Sequence, residues 1–297
     1  MLIDTHAHVN FNAFKDDSDE VIRRSLVGGV QIINVGSQYS TSKRAVDMAE
    51  SASWRDKGVY AAIGLHPIHL ADGIFKTKLD EDEVIIPTKN EEFDSEKYKE
   101  LAKSSKVVAI GEIGLDYYYR PKTKTKLDEF KNRQKEVLLM QLDLAKELNL
   151  PVIFHCRSAH NDLINEIRSR DEIGSPKIRG VIHCFTGTWE EAQKYLEMGF
   201  YLGFNGIIFK LDMDDVIKKT PLNRIVLETD CPYLMPKPME GRNEPLYVKY
   251  VAEKIAELKN ISLEEISKVT TQNARKLFRI LISREDKIST ILSYFSK

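Results

Sequence analysis

The chain has 297 residues, 44 Lys and Arg against 45 Asp and Glu, and a formal charge of −1, room enough for one large α/β barrel or two smaller domains. A near-zero charge excludes a protein that coats nucleic acid or an anionic membrane through a bulk basic field, so a polyanionic partner must be met locally. No apolar run of about 18 residues can span a bilayer, and no charged, then apolar leader precedes Asp4. Three cysteines, an odd number at wide spacing, fit neither a disulfide framework nor a zinc knuckle, so a reducing cytoplasm is the expected location.

In chain order, short β-branched or apolar runs at residues 2–6, 30–36, 59–64, 107–111, 151–155, 180–184, 200–205 and 224–229 read as strands. Between them lie stretches of helical apolar spacing, such as Phe130, Val137, Leu138, Met140, Gln141 and Leu144, or Val251, Ile255 and Leu258. Repeated strand–helix units make a parallel sheet. Ionisable residues stand at the carboxyl ends of many of these strands, which favours a closed (β/α)8 TIM barrel in a single domain over an open sheet with one switch point. No Gly-x-Gly-x-x-Gly follows a strand, so no dinucleotide or other organic cofactor is expected. The barrel is expected over residues 1–281, interrupted at about 70–97 by an acidic, solvated surface insertion that leads into a short helix near 95–104. Residues 282–297, with Ile288, Ile291, Leu292 and Phe295 on one stripe, read as a helical extension that caps the barrel's bottom or, less in keeping with the pattern, meets a partner.

The chemistry begins at Asp4-Thr5-His6-Ala7-His8, where strand alternation sets His6 and His8 on one face, able to share a cation. Gly64-Leu65-His66-Pro67, Glu112 with Asp116, His155 with Arg157, His183, and Glu228 with Asp230 follow at later strand ends. Five of the seven histidines therefore stand at strand ends, and burying so many ionisable groups costs too much unless they are paired or hold metal. Cys156, Cys184 and Cys231 each follow a candidate ligand, so alternation should turn their thiols away as packing groups. His69 and His160 fall in loop or helix-start positions and are expected to be exposed.

Taken in order, DTHAH, GLHP, AIGEIGLDY, HCRSA, GVIHCFTG, ETDCPYL and GRNEP resemble the TatD-type metal-dependent hydrolases of the amidohydrolase-like barrels, from residue 2 to about 278. The resemblance implies two divalent ions, Mg, Mn or Zn: one on His6, His8, Glu112 and Asp230, the other on Glu112, His155 and His183, with Glu112 bridging. Such a pair can acidify a shared water and stabilise an in-line phosphodiester displacement. The implied activity is that of a deoxyribonuclease, 3′–5′ exonuclease-like, acting on single-stranded DNA or 3′ ends. In that reading Asp230 and Glu112 are catalytic, Asp230 also receives the proton of the attacking water, Glu228 supports the ligands, and His66 and Arg157 hold substrate phosphate. Tyr117-Tyr118-Tyr119-Arg120 and the basic residues through Lys135, seven against two acidic, suit either a guide for a single strand or, for the lysines, a solvated helix start, and Arg242 with Asn243 either line the mouth or cap a helix. Ile68 and Thr186 depart from the family's usual His and Ser. A carbonyl-directed hydrolase, such as an aminoacyl-tRNA deacylase on the same metal barrel, is the alternative reading, and a non-catalytic metal barrel a third.

Overall fold

The computed structural model describes residues 1–70, 73–79, 82–88, 91–118, 121–170 and 177–281. Strands β1 (Leu2–Ala7), β2 (Val30–Val35) and β3 (Val59–Ile63) are followed by the hairpin strands β4 (Gly73–Leu79) and β5 (Asp82–Thr88). Then come β6 (Val107–Asp116), β7 (Val152–Arg157), β8 (Gly180–Ile182), β9 (Tyr201–Phe204) and β10 (Ile225–Leu227). Hydrogen bonding joins eight of them in the order β1-β2-β3-β6-β7-β8-β9-β10, with every ladder between neighbours parallel. Helices α1 (Ser18–Val27), α2 (Tyr39–Glu50), α3 (Ser95–Leu101), α4 (Lys124–Glu147), α5 (His160–Ser169), α6 (Trp189–Glu197), α7 (Asp214–Lys219), α8 (Val248–Lys259) and α9 (Leu263–Phe278) complete a (β/α)8 barrel.

The local causes are conventional. Thr188 caps α6, its Oγ1 accepting from the Glu191 N–H at 3.3 Å while Glu191 Oε2 accepts from the Thr188 N–H at 2.8 Å. Ser262 caps α9 by accepting from the Glu265 N–H at 3.1 Å. Within the expected surface insertion the chain forms the antiparallel pair β4–β5, from Gly73 opposite Thr88 to Leu79 opposite Asp82. That hairpin was invisible to a reading dominated by the acidic residues. Among the described residues no helix is long and apolar enough to cross a membrane. The stripe at Ile288, Ile291, Leu292 and Phe295 lies outside the described residues.

The core has two layers. Alternate strand residues face outward to the helices, while Ile3, Ile33, Val35, Ala62, Val108, Ile153, Val181, Tyr201 and Val226 form an inner cluster. Ala274, Leu277 and Phe278 of α9, with Ile280, close that cluster. Asn273 on α9 donates to the Leu222 carbonyl before β10 and to the Ile225 carbonyl at its start, and Thr271 to the Met1 carbonyl, so α9 plugs the amino-terminal end of the barrel. The opposite, carboxyl-terminal end is left to polar residues.

A buried carboxyl group closes the barrel beside two backbone hydrogen bonds, from the Asp230 N–H to the His6 carbonyl at 2.8 Å and from the His8 N–H to the Cys231 carbonyl at 2.9 Å. Beyond a single bridge, Ala7 to Cys231, no ladder joins β1 to β10 among the described residues. The Asp4 side chain accepts from the Thr229 N–H at 2.9 Å, the Thr229 hydroxyl at 2.6 Å and the His6 N–H at 3.2 Å, and Thr5 Oγ1 donates to the Leu227 carbonyl at 3.0 Å. Removing the acceptor leaves buried donors unpaired, at about 1–3 kcal/mol each. Asp4→Ala is expected to lower unfolding free energy by about 2–4 kcal/mol in urea titration; a loss under about 0.5 kcal/mol, the range of a neutral surface change, would show that closure does not depend on this group.

Candidate metal centre

Strand ends bring the polar residues together at the mouth. His8 follows the end of β1, and its Nδ1 lies 2.8 Å from the Val35 carbonyl, an acceptor that demands N–H there and leaves a lone pair on Nε2. That Nε2 lies 3.1 Å from His6 Nε2 and 3.3 Å from Asp230 Oδ1, so His6, His8 and Asp230 form one possible ligand group. His183 stacks on His6 with ring centroids 3.5 Å apart. Its Nδ1 stands 3.0 Å from Glu228 Oε1, and its Nε2 lies 3.7 Å from Glu112 Oε1 and 3.9 Å from Asp230 Oδ2. Glu228 is fully buried, and the missing side chain of Gly203 makes room for it, since a Cβ there would meet Glu228 Oε2 at 2.5 Å.

Glu112 occupies the middle. Its Oε2 faces His6 Nε2 at 3.5 Å, while its Oε1 faces His155 Nδ1 at 2.8 Å and His66 Nε2 at 3.5 Å. Asp116 Oδ2 meets the other nitrogen of His155 at 3.1 Å. Burial pushes the Glu112 carboxyl up, but the surrounding imidazoles and the hydrogen bond with His155 outweigh it and hold the group well below the usual carboxylate range. Asp230 is lowered in the same way, burial being overcome by His183 and His8. No lysine or arginine pairs with either carboxylate among the described residues, so the cluster's donor set of imidazole nitrogens and anionic oxygens fits divalent cations.

His66 is distinct. Its Nδ1 accepts from the Ile68 N–H at 2.9 Å, so the neutral ring carries its proton on Nε2 as a donor. Burial first, then the charge of His155, lowers its pKa to about 3 and keeps it neutral. Arg157 stands two residues beyond His155 on β7, exposed at the rim, its guanidinium 3.6 Å over the Tyr118 ring.

The six residues expected from the sequence to bind metal stand at this end of the barrel, but among the described residues the groups within ligating reach include His6–His8–Asp230, His6–Glu112–His183 and His66–Glu112–His155, and none joins His155 to His183; several other expectations also need correction. His69 and His160 are both buried: His69 Nε2 lies 3.3 Å from Ser37 Oγ, and His160 Nδ1 lies 3.1 Å from the Tyr195 hydroxyl. Cys156 and Cys231 do pack into the core. Cys184 does not follow the alternation, because it lies beyond the end of β8 at φ 44°, and its thiol falls in a group with His183 and Asp230. Burial pushes that thiol well above its ordinary pKa, which makes it a thiol donating to Asn205 Oδ1. Arg242 does not line the mouth; it forks onto Asp17 at 3.0 and 2.6 Å and reaches Glu244 at 3.3 Å. Asn243 is buried and donates to the carbonyls of Thr229 and Tyr233. In the basic segment Lys135 pairs with Asp162 and Glu166, and Arg133 with Glu136, while Tyr119 and Arg120 lie outside the described residues.

Sequence reasoning also missed two positioning residues on α4. Gln134 exchanges two hydrogen bonds with the Asp116 backbone, at 2.8 and 2.9 Å, and Gln141 does the same for Leu65, beside His66, at 2.8 and 3.0 Å. The available signal was two amides seven residues apart on an otherwise apolar helix face.

A family model described as TatD related DNase matches residues 3–279. The uncharacterized metal-dependent hydrolase YabD of Bacillus subtilis is 43% identical over 285 residues, which cover 94% of this chain and 100% of that protein. The 3′-5′ ssDNA/RNA exonuclease TatD of Pantoea vagans is 30% identical over 290 residues, again 94% and 100% of the two chains. The crystal structure of YJJV, a TatD homolog from Escherichia coli K12, superposes with a TM-score of 0.78 at 30% identity over 94% of this chain and 98% of that one.

In the cation-free protein burial would lower both histidines, yet Asp116 and Glu112 push His155 up to about 9, and Glu228 and Asp230 push His183 up to about 10. Both are protonated at neutral pH, and a histidine must lose its proton to become a ligand. Divalent-ion affinity is therefore expected to rise with pH toward about 10, with protons released on binding at neutral pH in calorimetric titrations run in buffers of different ionisation enthalpy. Binding without proton release would contradict this. The cation-free fold has the opposite sign: the two imidazoliums contribute stability that is complete below pH 6.5 and lost as pH rises through about 9 to 10.

Proposed function

We propose, since this chain belongs to the TatD related DNase family of metal-dependent hydrolases, that it cleaves phosphodiester bonds of DNA, working from single-stranded 3′ ends. The observation that carries the reading is the division of Glu112, whose two carboxylate oxygens face two different sets of histidines. On this reading His6, His8, Asp230 and Glu112 hold one divalent ion, and Glu112, His155 and His183 hold a second. Bound there, such ions supply positive charge that polarises phosphoryl oxygens and acidifies water.

The protein's own residues do the rest. Asp230 is ionised, has a side chain 16% exposed, and takes the proton of the attacking water on a carboxylate oxygen. Glu112 stays anionic throughout and fixes the distance between the two halves of the site. Asp116 and Glu228 set the ring orientations of His155 and His183. His66 donates a hydrogen bond from its Nε2–H to a phosphate oxygen, and Arg157 offers a planar fork to substrate phosphate at the rim. The name of the Pantoea relative supports a nucleic-acid substrate and the 3′–5′ direction.

Glu112→Gln and Asp230→Asn are each expected to lower kcat on a 3′-labelled single-stranded oligonucleotide by about 10²–10⁴-fold while the circular dichroism spectrum stays near native. Full turnover by either variant would remove that residue from the mechanism. Chelation should abolish activity, and Mg²⁺, Mn²⁺ and Zn²⁺ tested separately should identify the ion that restores it. Arg157→Ala should raise KM for the oligonucleotide by roughly 10- to 150-fold, the range of a hydrogen bond to a charged group. Release of no nucleotide with any of these metals, alongside efficient cleavage of acyl esters, would replace this reading by the carbonyl-directed one.

A further inference from the structure

The amino-terminal end of the barrel, remote from the metal centre, carries positive charge that no carboxylate answers among the described residues. Arg179 stands just before β8, its carbonyl held by the Val152 N–H at 2.8 Å, and Arg279 closes α9. Both side chains reach the same residue. Arg179 Nη2 donates to the Asn149 carbonyl at 2.9 Å and to Asn149 Oδ1 at 3.3 Å, while Arg279 Nη1 and Nη2 donate to the same two oxygens at 3.4 and 3.3 Å. Two guanidiniums thus converge on one neutral side chain. The neighbouring acids on α4 are engaged elsewhere, Asp143 with Arg170 at 3.3 Å and Glu147 with Lys99 at 2.9 Å.

Helix capping accounts for part of this charge and not for the rest. Asn149 follows the end of α4 at φ 51°, and Arg279 terminates α9 at φ 55°, so two helix carboxyl ends meet here. Together those ends offer roughly one negative charge. Arg179 and Arg279 carry two positive ones, and Lys177 adds a third to the cleft that it lines with Lys146, Asn149 and Arg179. No acidic side chain lines that cleft among the described residues. The crowding has a measurable consequence: burial first, then the charge of Arg279, holds the Arg179 guanidinium below its ordinary pKa. Arg179 engages only Nη2, which leaves the N–H groups on Nε and Nη1 for a further acceptor.

The shape of the donors selects the anion. A carboxylate is flat and presents its two oxygens to one fork, whereas a phosphate group carries up to about two negative charges and three terminal oxygens, enough for two forks arriving from different elements. We propose that Arg179, Arg279 and Lys177 form a phosphate-binding site at the closed end of the barrel, taking free phosphate or the phosphate group of a nucleotide; the site does not depend on the nuclease reading above. Arg279 belongs to the helix that plugs the barrel and Arg179 to the barrel wall. A phosphate held by both ties plug to wall and stabilises the folded chain.

The test is calorimetric titration of the full chain, as purified and after chelation, with inorganic phosphate and with deoxyadenosine 5′-monophosphate at constant ionic strength. Arg179→Gln, Arg279→Gln and Arg179→Lys are compared with wild type and with the double variant His66→Ala, Arg157→Ala, which removes the phosphate contacts proposed at the mouth. Wild type and the mouth variant are expected to share one Kd that survives chelation, with each Gln variant weaker by roughly 10-fold or more. Arg179→Lys, which keeps the charge and loses the fork, should fall between. Phosphate should raise the melting temperature of wild type and of the mouth variant and leave the combined Gln variant unmoved, its circular dichroism spectrum near native. Tighter binding of the nucleotide in the mouth variant would identify a nucleotide as the source, and equal binding of the two ligands the phosphate group alone. The site is overturned if the Gln variants bind phosphate as tightly as wild type, if only the mouth variant loses binding, or if chloride at the same ionic strength gives the same heat and the same shift in melting temperature.

Discussion

Negative charge buried without a basic side chain governs this barrel. Glu112 and Asp230 lie among five imidazoles, and no lysine or arginine pairs with either among the described residues. Isolated buried carboxylates would neutralise by taking protons. Here the reverse holds: both are lowered, and His155 and His183 carry the compensating protons in the cation-free protein. A cluster in which protons and divalent ions compete for the same lone pairs is a site with two alternative occupants, and the surrounding fold serves to keep those lone pairs converging.

Much of that fold is polar where a minimal barrel would be apolar. Asp4 ties β1 to the segment after β10, so His6 and Asp230 meet across the closure, and the Asp230 N–H donates to the His6 carbonyl at 2.8 Å. Gln134 and Gln141 reach in from α4 to hold the ends of β6 and the segment after β3. Arg24 and Arg242 fork onto Glu244 and Asp17 and anchor the loop that follows Asp230. The Asp4, Gln134 and Gln141 contacts satisfy backbone groups that would otherwise be buried unpaired, and they hold strand ends beside the cluster.

The rim has a different logic. Below it, imidazoles and carboxylates are held within a few ångströms of each other; at it, Tyr118 and Arg157 are stacked and exposed.

Spacing and residue type sufficed for the eight strand–helix units and favoured the closed barrel, because strand period and chemical class are local properties of the chain; the ligand set His6, His8, Glu112, His155, His183 and Asp230 came from the likeness to the TatD-type hydrolases. The burial of His69 and His160, the inward turn of Cys184 at its positive φ, the hairpin within the insertion and the diversion of Arg242 into an ion network were not readable in advance. Each depends on which distant element arrives alongside: Ser37 beside His69, Tyr195 beside His160, Asp17 beside Arg242. The same is true of the Tyr117 and Tyr118 pair, identical in type and adjacent in the chain, where only the closing of β7 and α5 against β6 buries one ring and leaves its neighbour in water.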